Sequence, residues 1–385
     1  MTTLPTSAPT MTDGVVTLRP HHPDDVEEIL VQGTDPVMQQ WTTVPVPYER
    51  ENAVGFATEM MPKGWLEPAG SKGFAIEARD GGRPRFAGTV DFRPDLAGAA
   101  EVGFGLAPWA RGRGVMTRAL RLGLTWAFDA MELEVAHWRA NVGNWASRRV
   151  AWACGFRFEG TVRALLPQRG ARYDGWVASL LRGEPMTPGT PWFQAPVLYG
   201  DRVVLRPYRD EDVGRLAETL GDPMAQRFLP GVAAPFGPVQ AASWLLGQRT
   251  AMSEGKAVSW CVADPAGDRL VGCVDLFDLA LPGNRAALGY AVHPAARGRG
   301  LAEQMVRLAV RHAVVPVEEG GLGRSRVWAR VAAANAPSRR VAERAGFRQV
   351  GVLRAVDPQP DGTADDLVCY DLLADEAEAV EVVTR

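Results

Sequence analysis

The sequence predicts two α/β domains in tandem, each an α+β arrangement on a mixed sheet, and three observations carry the prediction. The chain has 385 residues, 46% hydrophobic and 23% charged, enough for sizeable cores and too long for one ordinary compact domain. Several sequence blocks recur in the same order in its two halves. Within each half, hairpin-like strands precede a strand–helix–strand stretch, which calls for antiparallel and parallel pairing in one sheet.

The repeat reads directly from the chain. VTLRP at 16–20 is echoed by VVLRP at 203–207, each followed by an acidic pair, Asp24 and Asp25 or Glu211 and Asp212, that opens a helical pattern. FAGTVD at 86–91 returns as LVGCVD at 270–275, and GFGLAP at 103–108 as GYAVHP at 289–294. Both of the latter run into an identical ARGRG, at 110–114 and 296–300. SRRVA then appears at 147–151 and 338–342, with Gly-Phe closing each copy at 155–156 and 346–347. The Pro- and Gly-rich stretch between the halves reads as a linker. The expected division is a tail over 1–13, a first domain over 14–182, a linker over 183–200, a second domain over 201–374 and a tail over 375–385. A duplicated chain is expected to pack as a pseudo-dimer, imitating a homodimer contact.

Local signals place the elements. Residues 74–78 and 85–92 are β-rich around Asp80-Gly81-Gly82, a hairpin turn, and 264–268 serves the same purpose in the second half. After each glycine loop apolar residues recur at helical spacing: Val115, Ala119, Leu122 and Trp126, then Leu301, Met305, Leu308 and Ala309. A further helix follows Asn144 and Asn335, good N-cap residues. Gly155 and Gly346 stand where a left-handed C-terminal residue belongs.

Composition narrows the function. A net charge of -3 and a pI near 6.0 lack the basic excess of a nucleic-acid-wrapping protein. Cys154, Cys261, Cys273 and Cys369 form no CxxC and lie in apolar segments, so neither zinc nor a disulfide framework is expected, and a reducing cytoplasm fits. No stretch has the roughly 20 apolar residues of a membrane span.

The chemistry concentrates at the two glycine loops. A strand that ends at Arg-Gly-x-Gly and turns straight into a helix presents backbone N–H groups at a positive helix end, a nest suited to a pyrophosphate. Glycine lets phosphate oxygens approach, and Arg111, Arg113, Arg297 and Arg299 are expected to add positive charge. A lone Arg-Gly-Arg-Gly also occurs in RNA-binding tails, but those lack the flanking strand and amphipathic helix seen twice here.

With these motifs the chain resembles the GNAT superfamily of N-acetyltransferases, whose signature is Arg/Gln-x-x-Gly-x-Gly/Ala. Arg297, Gly298, Arg299, Gly300, Leu301 and Ala302 fit it in full. Arg111, Gly112, Arg113, Gly114 and Val115 fit until Met116 replaces the small residue, where a bulky side chain facing the ligand would crowd it. The opening Leu-Arg-Pro and the Asn-x-x-Ser-x-Arg-Val-Ala stretch are similar to the RimJ/RimL-like branch. The resemblance implies acetyl-CoA as cosubstrate, no metal, and direct attack of a primary amine on the thioester. It further implies that backbone N–H of Leu106 or Val292 meets the thioester carbonyl, and that Asn144 with Ser147, and Asn335 with Ser338, lie near the thiol, where Ser147 or Ser338 passes a proton to it. The tyrosine acid of some relatives is replaced by Ala151 and Ala342.

A proton acceptor is still needed. Glu101 heads an otherwise apolar strand, where burial would raise its pKa, and its alternative is an ion pair with arginine. The second half has Ala287 there. Asp91 and Asp275 are rival carboxylates beside the acceptor pocket, and His137 and His293 are further candidates. Trp41 and Trp65 lie in the region where relatives build that pocket. The acceptor is expected to be a small-molecule amine, with a peptide N-terminus as the alternative. A binding module with one degenerate domain is the reading from another class.

Overall fold

The computed structural model describes residues 4–229, 232, 234–358 and 363–377. It divides the chain into two compact units, Met1–Gly189 and Thr190–Arg385. Each unit holds one eight-stranded mixed sheet.

In the first unit the strands are β1 (Met11–Thr12), β2 (Val16–Arg19), β3 (Lys72–Asp80), β4 (Arg83–Pro94), β5 (Ala99–Leu106), β6 (Val135–Asn141), β7 (Arg157–Gln168) and β8 (Ala171–Leu181). They lie in the order β1-β2-β3-β4-β5-β6-β8-β7. All neighbours are antiparallel except β5 and β6. Helices α1 (Val26–Thr34), α2 (Pro36–Trp41), α3 (Arg50–Gly55) and α4 (Met61–Leu66) fill the long connection from β2 to β3, with a π-helical turn at Phe56–Met60 between the last two. α5 (Val115–Ala130) links β5 to β6, and α6 (Trp145–Ala153) links β6 to β7.

The second unit repeats this order with β9 (Leu198–Tyr199), β10 (Val204–Arg206), β11 (Val258–Ala263), β12 (Leu270–Phe277), β13 (Arg285–Val292), β14 (Arg326–Ala332), β15 (Arg348–Pro358) and β16 (Ala364–Leu373). Its helices are α7 (Asp212–Leu220), α8 (Pro223–Phe228), α9 (Pro238–Ser253), α10 (Leu301–Val314) and α11 (Ala336–Arg344). Alternation along the strands gives each face its own core. Trp260, Val262, Val274 and Leu288 pack with α10, while Cys261, Cys273 and Ala291 pack with α7 and α9. Trp260 Nε1 also donates to Pro196 O at 2.9 Å, drawing part of the expected linker onto this unit.

The turns follow the expected chemistry. Gly81 and Gly82 take φ of 53° and 86° in the β3–β4 hairpin. Asn144 and Asn335 cap their helices by accepting from Ser147 N and Ser338 N, each at 3.2 Å. Gly155 and Gly346 follow at φ of 86° and 98°. The Leu-Arg-Pro repeat is structural: Arg206 reaches Asp212 with both nitrogens, at 2.8 and 3.0 Å, and Arg19 holds Asp25 at 2.8 and 2.7 Å.

One stretch expected as tail is ordered. Met11 and Thr12 pair with Leu18 and Thr17, because Asp13 accepts from the N–H of Val15 and Val16 and binds Arg118 at 2.7 Å. Of the C-terminal tail, residues 378–385 lie outside the described residues. No helix among the described residues is long and apolar enough to cross a membrane.

Candidate active site

The parallel strand pair in each sheet comes apart into a wedge. β5 and β6 pair only from Ala99↔Val135 to Val102↔Trp138. Beyond that point β5 stays with β4 as far as Leu106, while β6 stays with β8 as far as Asn141. In the second unit β13 and β14 pair from Arg285↔Arg326 to Ala287↔Trp328, then part in the same way.

Ladder alternation sets which backbone groups line the gap. Ala107 N–H donates to Ala87 O at 2.8 Å, and His293 N–H to Val271 O at 2.9 Å. The residues one step earlier therefore aim their N–H groups the other way, into the wedge. These are Leu106 and Phe104 in the first unit, and Val292 and Tyr290 in the second, where the last parallel bridge, Ala287↔Trp328, takes up the N–H of Leu288. Phe104 and Tyr290 were not singled out in the sequence, since only strand register shows where a ladder stops.

The glycine loops close the wide end. Gly112 and Gly114 have φ of 70° and 73°, and Gly298 and Gly300 of 73° and 71°, the left-handed values glycine tolerates without cost. A Cβ built on Gly112, Gly114 or Gly298 would meet nothing within 4 Å, so the cradle is open. α5 and α10 begin directly after it and point their N-termini inward. Met116 is buried in the core, so it does not cover the first loop.

The arginines behave differently from the expectation. Arg111 donates to Leu106 O at 3.2 and 3.0 Å and to Asp35 at 2.6 Å. Arg297 does the same with Val292 O at 3.3 Å and Asp222 at 2.5 Å. Both guanidinium groups clamp a strand end to the N-cap aspartate of the next short helix, α2 or α8. They are thus committed to structure. Arg113 lies over the Trp109 ring at 5.5 Å and donates to Arg79 O, whereas Arg299 is exposed. Arg202, not foreseen, donates to Arg299 O, with Nη1 3.3 Å from where a Gly300 Cβ would stand. An Asp-Pro pair precedes α2 and α8 alike, at 35–36 and 222–223, and this overlooked repeat was the available signal for the clamps.

The carboxylates also divide unequally. Glu101 lies between two arginines, 3.0 Å from Arg93 and in direct contact with Arg139. Of the two readings its sequence left open, Glu101 takes the ion pair with arginine, because β4 and β6 bring a cation to each of its sides. Asp91 accepts from Ser71 at 2.8 Å and lies 3.5 Å from Arg93. Asp275 has Ser259 as its hydroxyl partner. Burial pushes its carboxyl up to about 7, against the opposing effect of that hydrogen bond.

The space beside these acids differs as well. A Cβ on Gly103 would stand 2.6 Å from Asp91 Oδ1 and 2.8 Å from Arg93 Nη2, and one on Gly105 would stand 2.7 Å from Met38 Cε. The first unit fills the face above its wedge. Over Gly289 only Phe277 Cε1, at 3.3 Å, comes within 4 Å. Tyr208, edge-on to Trp244 at 6.0 Å, adds aromatic surface on that face.

Trp65 proves to be core rather than pocket: it is 5% exposed, packs on Phe74 and Trp126, and donates to Gly73 O at 3.0 Å. Trp41 lies against the turn before α6, its ring 3.4 Å from where a Gly143 Cβ would stand. Ser147 Oγ accepts from Trp138 Nε1 at 3.0 Å. Ser338 Oγ instead pairs with Tyr290 OH at 2.8 Å. His293 caps a 3-10 turn and binds Glu218 at 2.9 Å, a structural role; His137 is exposed. Among the described residues no group of three or more metal-ligating side chains occurs.

A splayed parallel pair, a glycine nest and a helix N-terminus, present twice, define an acyltransferase fold. The chain belongs to the GNAT acetyltransferase family: the model described as "Acetyltransferase (GNAT) domain" matches residues 16–157 and 202–348. Acetyl-CoA is the acyl donor that this family uses. The uncharacterized N-acetyltransferase YoaA of Bacillus subtilis is 26% identical over 178 residues, 46% of this chain and 97% of that protein. The putative ribosomal N-acetyltransferase YdaF of the same organism is 39% identical over 85 residues, 22% of this chain and 46% of its own length. Similar solved structures include the microcin C7 self-immunity acetyltransferase MccE in complex with acetyl-CoA and AMP, at 21% identity and TM-score 0.40, covering 44% of this chain and 93% of that one. Mycobacterium smegmatis RimJ in complex with CoA-disulfide is 22% identical with TM-score 0.41, covering 48% and 90%.

Proposed function

We propose that the chain acetylates a small apolar or aromatic primary amine, that the second unit performs the transfer, and that Asp275 accepts the amine's proton. The observation that carries this reading is the contrast between Gly289, with open space beside a carboxylate of raised pKa, and Gly103, whose space Asp91 and Arg93 occupy.

Each step falls to residues of this chain. The nest at Gly298 and Gly300 binds the pyrophosphate, with Arg202 and Arg299 beside it. The N–H groups of Tyr290 and Val292 line the wedge, where one of them polarises the thioester carbonyl. An amine resting over Gly289 attacks from the α7 and α9 face. Its nitrogen forms the new bond to the acyl carbon, the C–S bond breaks, and Asp275 takes the proton. A carboxyl titrating near 7 suits this task, because it is substantially ionised at neutral pH yet basic enough to hold the proton. Tyr208, Trp244 and Phe277 favour an apolar amine over a charged peptide terminus.

In this reading the first unit binds the cosubstrate without turning it over. Thiol release from acetyl-CoA across a panel of arylalkyl amines, polyamines and peptides tests the proposal. Release with arylalkyl amines supports it, release with peptides alone replaces the acceptor, and no release with any amine despite CoA binding overturns it.

A further inference from the structure

The two nests differ in what stands over them. A Cβ built on Gly114 would meet nothing within 4 Å, whereas one on Gly300 would stand 3.3 Å from Arg202 Nη1 and meet no other described group in that range. Both glycines open a helix at matching φ, 73° and 71°. The backbone cradles are therefore alike, and one side chain makes the difference.

The sequence explains how that guanidinium arrives. Counting back from the repeated Val-x-Leu-Arg-Pro blocks, Arg202 aligns with Val15 and Gly200 with Asp13. Counting forward from the nest glycines, Gln304 in the first turn of α10 aligns with Arg118 in α5. In the first unit Asp13 holds Arg118 at 2.7 Å, so each charge answers the other. In the second unit the missing side chain at Gly200 lets Gln304 come close: a Cβ there would stand 3.0 Å from Gln304 Cδ. Gln304 Oε1 accepts from the Arg202 backbone N–H at 2.8 Å, and the side chain then crosses to the loop, where Nη2 donates to Arg299 O. The guanidinium bonds a carbonyl rather than a carboxylate, which leaves its charge for an anion. Arg297, the first residue of the family signature, is by contrast committed to Asp222 and Val292 O.

We infer that Arg202 is the cation that binds the pyrophosphate of CoA in the second unit, and that it makes this nest the tighter of the two CoA sites. The inference rests on the pyrophosphate reading of the nest and not on acetyl transfer. Arg202 Nη1 stands where a phosphate oxygen would approach Gly300, and the planar fork can take two oxygens of one phosphate. The first unit has no counterpart. Val15 carries no charge, Arg118 is matched by Asp13, and Arg113 leans on Trp109 and donates to Arg79 O.

The test titrates the full chain with CoA and with 3′-dephospho-CoA in a calorimeter, as wild type, Gly300→Val and Arg202→Val. The last variant installs the first unit's residue, and the anchoring backbone bond to Gln304 survives it. Wild type is expected to show a tight and a weak step, the tight one absent from Gly300→Val. Arg202→Val is expected to weaken the tight step about tenfold to hundredfold, the usual range for a hydrogen bond to a charged group, and to leave the weak step unchanged. The loss is expected to be equal for the two ligands, which share the pyrophosphate and differ only at the ribose 3′-phosphate. An unchanged tight step, a loss confined to CoA, or an equal loss in both steps overturns the inference, as does removal of the weak step by Gly300→Val. If no amine gives thiol release while Arg202→Val weakens the tight step, acetyl transfer by the second unit fails and the role of Arg202 stands.

Discussion

Arg297 reaches Asp222 at 2.5 Å while its Nε donates to the carbonyl of Val292, and Arg111 makes the same two contacts with Asp35 and Leu106. The first residue of the family signature is therefore a clamp on the wedge wall in both units. Arg297→Gln and Asp222→Asn are predicted to share one phenotype. Both raise the KM for acetyl-CoA severalfold and cost about 1–3 kcal/mol of stability, the usual penalty for a polar partner left unsatisfied. Urea denaturation and initial-rate kinetics measure the two effects. A direct phosphate contact would instead be lost in Arg297→Gln alone.

That clamp also depends on pH. Burial acts to raise the Asp222 carboxyl, but Arg297 and the N–H groups of Ala225 and Met224 outweigh it and hold it below the usual range. Its contribution to stability is complete above the ordinary carboxylate range and is lost as pH falls through the lowered folded-state value. Wild type is thus predicted to lose stability on acidification more steeply than Asp222→Asn, as chemical denaturation at a series of acidic pH values would show.

The two nests predict a stoichiometry. Wild type binds two CoA per chain in a calorimetric titration, and Gly300→Val binds one. Valine at a φ of 71° incurs about 1–2 kcal/mol of left-handed strain and places a branched side chain where the phosphate approaches. An unchanged stoichiometry in the variant would remove the second nest from the account.

Asp275 predicts the pH dependence of turnover. With its carboxyl raised to about 7, kcat for the amine reaction rises as pH rises through that value. Asp275→Asn flattens this limb and lowers the plateau by about 100- to 10,000-fold, the range for a lost general base. The same raised pKa makes the neutral acid the better-tolerated form in the fold. Wild type therefore loses stability as pH rises from about 4 toward 7, relative to the asparagine variant.

Arg206 and Asp212 are nearly inaccessible, with side-chain exposures of 6% and 5%. Without Asp212, Arg206 keeps Asp268, 2.6 Å from its Nε, as its remaining carboxylate, so Asp212→Ala is predicted to cost about 1–3 kcal/mol, the range for charge-assisted hydrogen bonds lost from one side. A midpoint shift in urea much smaller than that would show that the repeated Leu-Arg-Pro block does not fasten the strand to the helix.

The fold was legible because its signals are local and duplicated. Asn144 and Asn335 cap helices, Gly81 and Gly82 turn a hairpin, and the Arg-Gly-x-Gly loops enter helices through left-handed glycines, each as its residue type dictates. Site details depend on what lies across the sheet, which one-dimensional patterns do not show. Glu101 was marked for its apolar strand, but Arg93 and Arg139 reach it from neighbouring strands. Trp65 was assigned to a pocket and packs into the core with Trp126. Tyr290 lies in a block that was itself recognised as repeated, yet its hydrogen bond to Ser338, 48 residues away, shows only in the fold.

The central claim is that the second unit, with Asp275 as its base, performs the transfer. The most direct measurement compares thiol release by wild type, Asp275→Asn and Glu101→Gln at saturating acetyl-CoA and amine. The account predicts loss of turnover in Asp275→Asn and near-wild-type rates in Glu101→Gln. Turnover that survives in Asp275→Asn and disappears in Glu101→Gln would contradict it.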